Sequence, residues 1–286
     1  MVGIETEEML EPADRPQRGP MSDHTSDPHP ATDVPERSGA APRALPEVLD
    51  AIADVEGWLT EAQATRLWQA ATAVPSGGRI VEIGSFRGRS TIVLALAAPQ
   101  AEVVAIDPHA GNDRGPQEIH GFEDAADEDF EVFHRNLAAA GVDERVRHVR
   151  RFSSEALTEV DGEIDVLYVD GAHRFGPARD DIVRWGRRVR PGGRLLVHDA
   201  FSSIGVTLAL LTSVAVGADF EYVGRDGSLV EYRARSLTPP ARAANLGRHL
   251  LQLPWFLRNV LVKVAIVTRL RPLARLLRHD GSTWPY

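Results

Sequence analysis

Apolar residues along this chain come in short blocks that are apolar on both faces, separated by longer stretches in which they recur at helical spacing. The blocks predict strands over Arg79–Ile83, Glu102–Ile106, Val146–Val149, Ile164–Val169 and Leu195–Val197. The stretches predict helices over Phe130–Ala140 and Pro177–Val189. Ahead of them, TEAQATRLWQAATAV reads as a helix. Thr60 and Gln63 stand at capping-box spacing, and Leu67, Ala71 and Val74 share a face before PSGG ends it. Strands that are apolar on both sides and joined by helices imply an α/β fold with a parallel sheet covered on both faces. Later, FEYVGRDGSLVEYR carries the Asp-Gly signal of a hairpin, so the sheet should finish in an antiparallel pair. No internal repeat is visible.

Composition divides the chain in three. Residues 1–45 are proline-rich and acidic with few large apolar side chains, and cannot offset ordering entropy by burial; a disordered tail is expected. Residues 46–236 hold the alternating pattern. From 237 to 286 the charge reverses, with eight Lys and Arg against Asp280 alone, so this segment carries +7 within a chain of net charge −9. A net negative body argues against nucleic acid as the main partner, since phosphates need a positive face. The absence of cysteine excludes disulfides, thiolate metal sites and cysteine nucleophiles, and fits a reducing cytoplasm. The start of the chain lacks a basic region followed by an apolar one, and no run of about 18 uncharged apolar residues occurs, so neither a secretory signal nor a bilayer span is expected.

IVEIGSFRGRSTIVLALA, Ile80 to Ala97, is where a strand passes through two glycines directly into an apolar helix. Ligands of open α/β sheets bind beyond the carboxyl ends of the strands, where strand order reverses. Gly84 and Gly88 permit a tight turn and close backbone approach, Ser90 and Thr91 open a helix whose free N–H groups attract anions, and Glu82 adds a carboxylate at the rim. That set suits a ligand bearing both a carboxylate and a positive group. Asp107, 25 residues after Glu82, is placed to accept hydrogen bonds from a ribose diol, or serves only as turn chemistry before Pro108. A dinucleotide fits the spacing too, but Gly-Ser-Phe-Arg-Gly lacks the G-x-G-x-x-G register.

VEIGSFRGRS, VVAIDPH, RFSSEAL, DVLYVDGAH and RPGGRLLVHDAF, in this order, resemble class I S-adenosyl-L-methionine (SAM)-dependent methyltransferases. The resemblance runs over about Leu45 to Arg235. It is nearest to the branch containing catechol O-methyltransferase and the sugar O-methyltransferases of macrolide and glycolipid biosynthesis. It implies a Rossmann-like fold with a mostly parallel seven-stranded sheet, a C-terminal antiparallel hairpin and helices on both faces. It also implies that Glu82, Gly84 and Ser90 hold the methionine portion of SAM, that Phe86 and Gly88 shape the wall, that Asp107 meets the ribose, and that Ser153 and Ser154 meet the adenine edge. For the two serines a helix N-cap before Glu155 is an equal reading.

Methyl transfer is an in-line displacement in which the enzyme aligns the acceptor and makes it nucleophilic. A hydroxyl is activated either by a divalent cation or by a general base. Asp170 and Asp199 each end a strand at the same sheet edge, a hard oxygen pair suited to magnesium (Mg2+). In the catechol-type pattern these positions ligate the metal, and the residue three beyond the first aspartate, here His173, is the base. That pattern's third ligand is an asparagine where this chain has Ala200, and strand alternation should turn His198 away from the neighbours of Asp199. Plainer roles are a turn for Asp170, a helix cap for Asp199 and simple pairing with a carboxylate for His173. The polar stretch between Asp107 and Phe130, with His109 and His120, is the candidate for acceptor recognition. The expected acceptor is a small hydroxylated molecule such as a sugar of a glycolipid or natural product. A scaffold that keeps the fold without catalysis is the reading from another class, and the intact glycine loop and both aspartates speak against it.

LLQLPWFLRNVLVKVAIVTRLRPLARLLRH predicts an amphipathic helix pair broken at Pro254 and Pro272. Its partner is a membrane interface, a second subunit in a homo-oligomer, or the domain itself. The first would place a cytoplasmic protein at the inner face of the membrane.

Overall fold

The computed structural model describes residues 41–110 and 123–279, apart from the side chains at 123–126, 271, 273 and 274. The expected acidic tail as far as residue 40, and His120, lie outside the described residues. Seven strands make one sheet: β1 Arg79–Ile83, β2 Glu102–Ile106, β3 Val146–Val149, β4 Ile164–Val169, β5 Val189–Val197, β6 Phe220–Asp226 and β7 Leu229–Ala234. Their order is β3-β2-β1-β4-β5-β7-β6. The first five are mutually parallel, and β7 runs antiparallel to both β5 and β6, as the hairpin signal requires. Chain direction across the sheet reverses between β1 and β4, which makes their carboxyl ends the switch point.

Alternation along each strand feeds two cores. Ile80, Val103, Val166, Tyr168 and Leu196 face one side, with α1 (Leu45–Ala51), α2 (Glu61–Thr72), α3 (Arg89–Ala97) and α4 (Glu123–Ala139). Val81, Val104, Leu167, Val169 and Leu195 face the other, with α5 (Ser153–Ala156), α6 (Phe175–Gly186) and α7 (Ile204–Ser213). The capping box at Thr60 forms as read: Thr60 N donates to Gln63 Oε1 at 2.9 Å, and Gln63 N to Thr60 Oγ1 at 3.3 Å. The same helix grips the hairpin through Arg66, which reaches Asp226 at 2.6 Å and Glu231 at 2.7 Å.

The largest boundary differences from the sequence expectation are these. Helix α4 starts at Glu123 rather than Phe130, because its first two turns are an acidic run with no apolar periodicity to reveal them. Helix α6 stops at Gly186 rather than Val189, and β5 begins at Val189 rather than Leu195, running through Pro191, Gly192 and Gly193. There the β4–β5 register shifts between Ile164 and Val166, and a Cβ at Gly193 would stand 2.9 Å from Asp165 O, so the strands can approach only at a glycine.

After β7 come α8 (Pro239–Leu250), α9 (Leu253–Val267) and α10 (Arg271–Leu276). The breaks precede Pro254 and Pro272 instead of coinciding with them, since proline is tolerated in a first helical turn. By length and composition the helical stretch Pro239–Val267, mean hydropathy 1.5 in its most apolar window, is long enough to cross a membrane. Arg242, Arg248, Arg258 and Lys263 interrupt it, so it is not an uncharged apolar run. Asn245 and His249 of α8 are buried against the hairpin: Asn245 Oδ1 accepts from Tyr222 N at 2.7 Å, and the His249 ring stacks on Tyr232 at 5.5 Å.

Candidate active site

The turn from β1 into α3 is held in a conformation only glycine adopts easily. Gly84 has φ +86° and Gly88 φ +87°, and a Cβ on Gly84 would stand 2.4 Å from Asp170 O. The loop therefore lies directly on the end of β4. Phe86, at φ 45°, packs on Trp58 with ring centroids 5.3 Å apart. Glu82 is not at the rim as expected. It shares the α3 side of the sheet with Ile80, is fully buried, and accepts hydrogen bonds from Ser90 Oγ and, at 2.5 Å, from Thr91 Oγ1. Burial outweighs those two bonds and pushes its pKa up to about 8. Glu82 and Ser90 thus brace the loop from beneath.

Asp107 uses both carboxylate oxygens on backbone. Oδ2 accepts from Ser85 N and Phe86 N at 2.9 Å each, and Oδ1 from His109 N at 2.8 Å. It fixes the glycine loop and keeps lone pairs for a further donor. Ser153 donates to Asp181 Oδ1, and burial raises that carboxyl to about 6; Ser154 is exposed. The N-cap of α5 is Phe152, with no side-chain cap bond, so neither serine caps the helix. His109 is buried among Phe130, Phe133 and His148 and is not an exposed acceptor contact.

At the ends of β4 and β5, Asp170, His173 and Asp199 converge, and one ligand atom from each lies within 4.8 Å of the others. His173 Nε2 is 2.5 Å from Asp199 Oδ2. That hydrogen bond raises the His173 pKa against the opposing effect of burial. Burial would raise Asp199, but His173, His198 and Lys263 together take it down to about 2. His198 does not turn away. The register that pairs Val169 with Val197 sets Asp170 beside His198, and Asp199, at φ 56°, folds the chain back. His198 Nδ1 lies 3.1 Å from Asp170 Oδ1, short of good hydrogen-bond alignment, and 3.9 Å from Asp199 Oδ2. Burial opposes its charge, but the two carboxylates more than offset this and raise His198 to about 9. Tyr168 Oη donates to Asp170 Oδ2 at 2.8 Å.

Residues 81–200 match the family model of a methyltransferase domain. This stretch is similar to methyltransferase domains. Among solved structures the chain is similar to a Corynebacterium glutamicum protein at 12% identity and a TM-score of 0.50, over 68% of this chain and 90% of that one. It also aligns with the O-methyltransferase NovP at 21% identity and TM-score 0.49, over 62% and 83% of the two chains. A third match is the SAM-bound O-methyltransferase TomG of Streptomyces achromogenes, at 22% identity and TM-score 0.46 over 67% and 89%. At these identities the likeness is one of fold.

The fold brings Gly84, Phe86, Gly88 and Asp107 to one side of the switch point and Asp170, His173 and Asp199 to the other. Ser85 Oγ, buried in the glycine loop with no hydrogen-bond partner among the described residues, fits a ligand that supplies one. The sequence reading missed Ser85, Tyr168 and the partnership of His198. It also missed two residues outside the domain: Asn259 Nδ2 donates to Phe201 O at 3.2 Å, and Lys263 Nζ to Ser202 O at 3.0 Å, so α9 holds the turn that carries Asp199. Only the long-range register and the path of the chain after β7 bring these together. No local motif announces them.

Proposed function

We propose that this protein transfers the methyl group of SAM to a hydroxyl of a small acceptor, with His173 as general base. The observation that carries the reading is the contact between the glycine loop and the end of β4, which sets the His173–Asp199 pair beside the loop that would hold the donor. Bound there, SAM supplies an electrophilic methyl group on a sulfonium. Gly84, Phe86 and Gly88 wall its methionine end, the first N–H groups of α3 and Ser85 Oγ offer hydrogen bonds, and Asp107 faces the ribose. Glu82 and Ser90 act through the loop they brace. Ser154 remains for the adenine edge, with Ser153 committed to Asp181.

Nε2–H of His173 donates to Asp199, which leaves Nδ1 to take the acceptor's proton as the oxygen attacks. Asp199, held ionised, stabilises the imidazolium that results. Magnesium on Asp170 and Asp199 is the competing device. The Ala200 side chain offers it no oxygen, so the third side-chain ligand at hand among the described residues is His173, and a metal held this way would occupy the base.

Calorimetry with SAM tests the donor site, and mass spectrometry of cell extracts incubated with methyl-labelled SAM identifies the acceptor. With that acceptor, His173→Ala should lower kcat by about 10²-fold or more while SAM binding persists, and EDTA should leave the wild type active. Loss of activity in EDTA would move the assignment to the metal. Absence of SAM binding, or full turnover in both His173→Ala and EDTA, would overturn the proposal.

A further inference from the structure

We propose that the outer face of α8–α10 docks on an anionic lipid bilayer and lies in its interface. Helix α9 has two unlike faces. The inner one carries Trp255 and Phe256 against the core and buries Asn259, Val262 and Ala265. The outer one shows Leu257, Leu261 and Val264, spaced by four and three residues, at 58%, 37% and 45% exposure. Leu251 just before the helix and Val267 at its last position are also apolar, both more than two-thirds exposed. A helix covering a water-soluble domain ordinarily carries charge on such a face.

Charge identifies the occupant. Residues 237–279 contain no Asp or Glu, and Arg269, Arg275 and Arg278 stand exposed next to the apolar surface. Residues 237–286 carry +7 while the whole chain is −9, so this is the part of the molecule that anionic head groups attract, and the remainder is repelled. A second copy meeting the face symmetrically would set two basic surfaces against each other with no acidic partner among residues 237–279. The stretch lies on the bilayer rather than spanning it, because Asn245, His249, Asn259 and Lys263 are hydrogen-bonded to the domain along its inner face. None of this depends on the methyl-transfer reading.

Flotation of the full-length protein with phosphatidylglycerol–phosphatidylcholine vesicles and with phosphatidylcholine vesicles tests the surface. The wild type should float with the anionic vesicles, less so as salt rises, and only weakly with neutral ones. Leu257→Glu/Leu261→Glu should reduce partitioning at least about tenfold at unchanged thermal stability. Arg269→Gln/Arg275→Gln/Arg278→Gln should remove the preference for anionic lipid. The proposal fails if the wild type does not float with anionic vesicles at low salt, or if the arginine variant keeps the preference. It also fails if light scattering finds a dimer that Leu257→Glu/Leu261→Glu converts to monomer, which would make the face a subunit interface.

Discussion

Glu82 and His198 each hold a proton that water would remove near neutral pH. Glu82 rises from 4.5 to about 8 because it is buried under α3, and His198 from 6.5 to about 9 because Asp170 and Asp199 outweigh its burial. Both folded-state values exceed the unfolded ones, so the stability each contributes is complete below its unfolded value and is lost as pH rises through the folded one. For Glu82 that window runs from 4.5 to about 8, and for His198 from 6.5 to about 9. Asp199, depressed from 3.8 to about 2, works the other way and loses its contribution only in acid. The thermal midpoint should therefore fall between pH 6 and 9, windows set by these two groups, and Glu82→Gln/His198→Gln should flatten the decline; an equal slope in the variant would show that other groups set it. A residue-by-residue reading of the sequence could name both side chains but not their surroundings. The carboxylate of a residue at the end of a strand looks solvated until the register shows what covers it.

At the scale of elements, the turn between β5 and α7 carries two residues in the left-handed region, Asp199 and Phe201, and its carbonyls are tied to α9. Asn259→Ala should leave Phe201 O unpaired in a buried place and cost about 1–3 kcal/mol, measured as a shift in the urea midpoint with unchanged m-value. Asn136→Ala, whose lost partner Arg87 O lies on the glycine loop, is the comparison that separates loop from turn. Strands β1, β2 and β4 were legible to the residue because each is a short, mostly apolar block, and β3 because Val146 and Val149 bracket a strand-length segment after a helix. Strand β5 was not, because Pro191-Gly192-Gly193 carries the local signature of a turn, and only pairing with β4 makes it a strand.

For the whole molecule, the residues after Ser236 are part of what keeps the core dry. Asn245 satisfies Tyr222 N and Phe220 O, His249 meets Tyr232 Oη at 3.0 Å, and Arg225 sits 3.9 Å over the Trp255 ring. A chain ending at Ser236 should unfold at lower temperature and with less cooperativity, followed by circular dichroism, since it exposes the outer strands of the sheet and strips their buried polar groups of partners. What the sequence alone determined was the parallel sheet with its closing hairpin, the glycine turn at the switch point, and the resemblance to methyltransferases, all of which rest on periodicity and short motifs that neighbouring residues enforce. The tertiary structure decided that Glu82 is a brace, that His198 joins Asp170, and that α9 reaches back to the Asp199 turn. Those contacts join residues tens of positions apart, and strand register and helix docking, rather than any local preference, determine which of them meet.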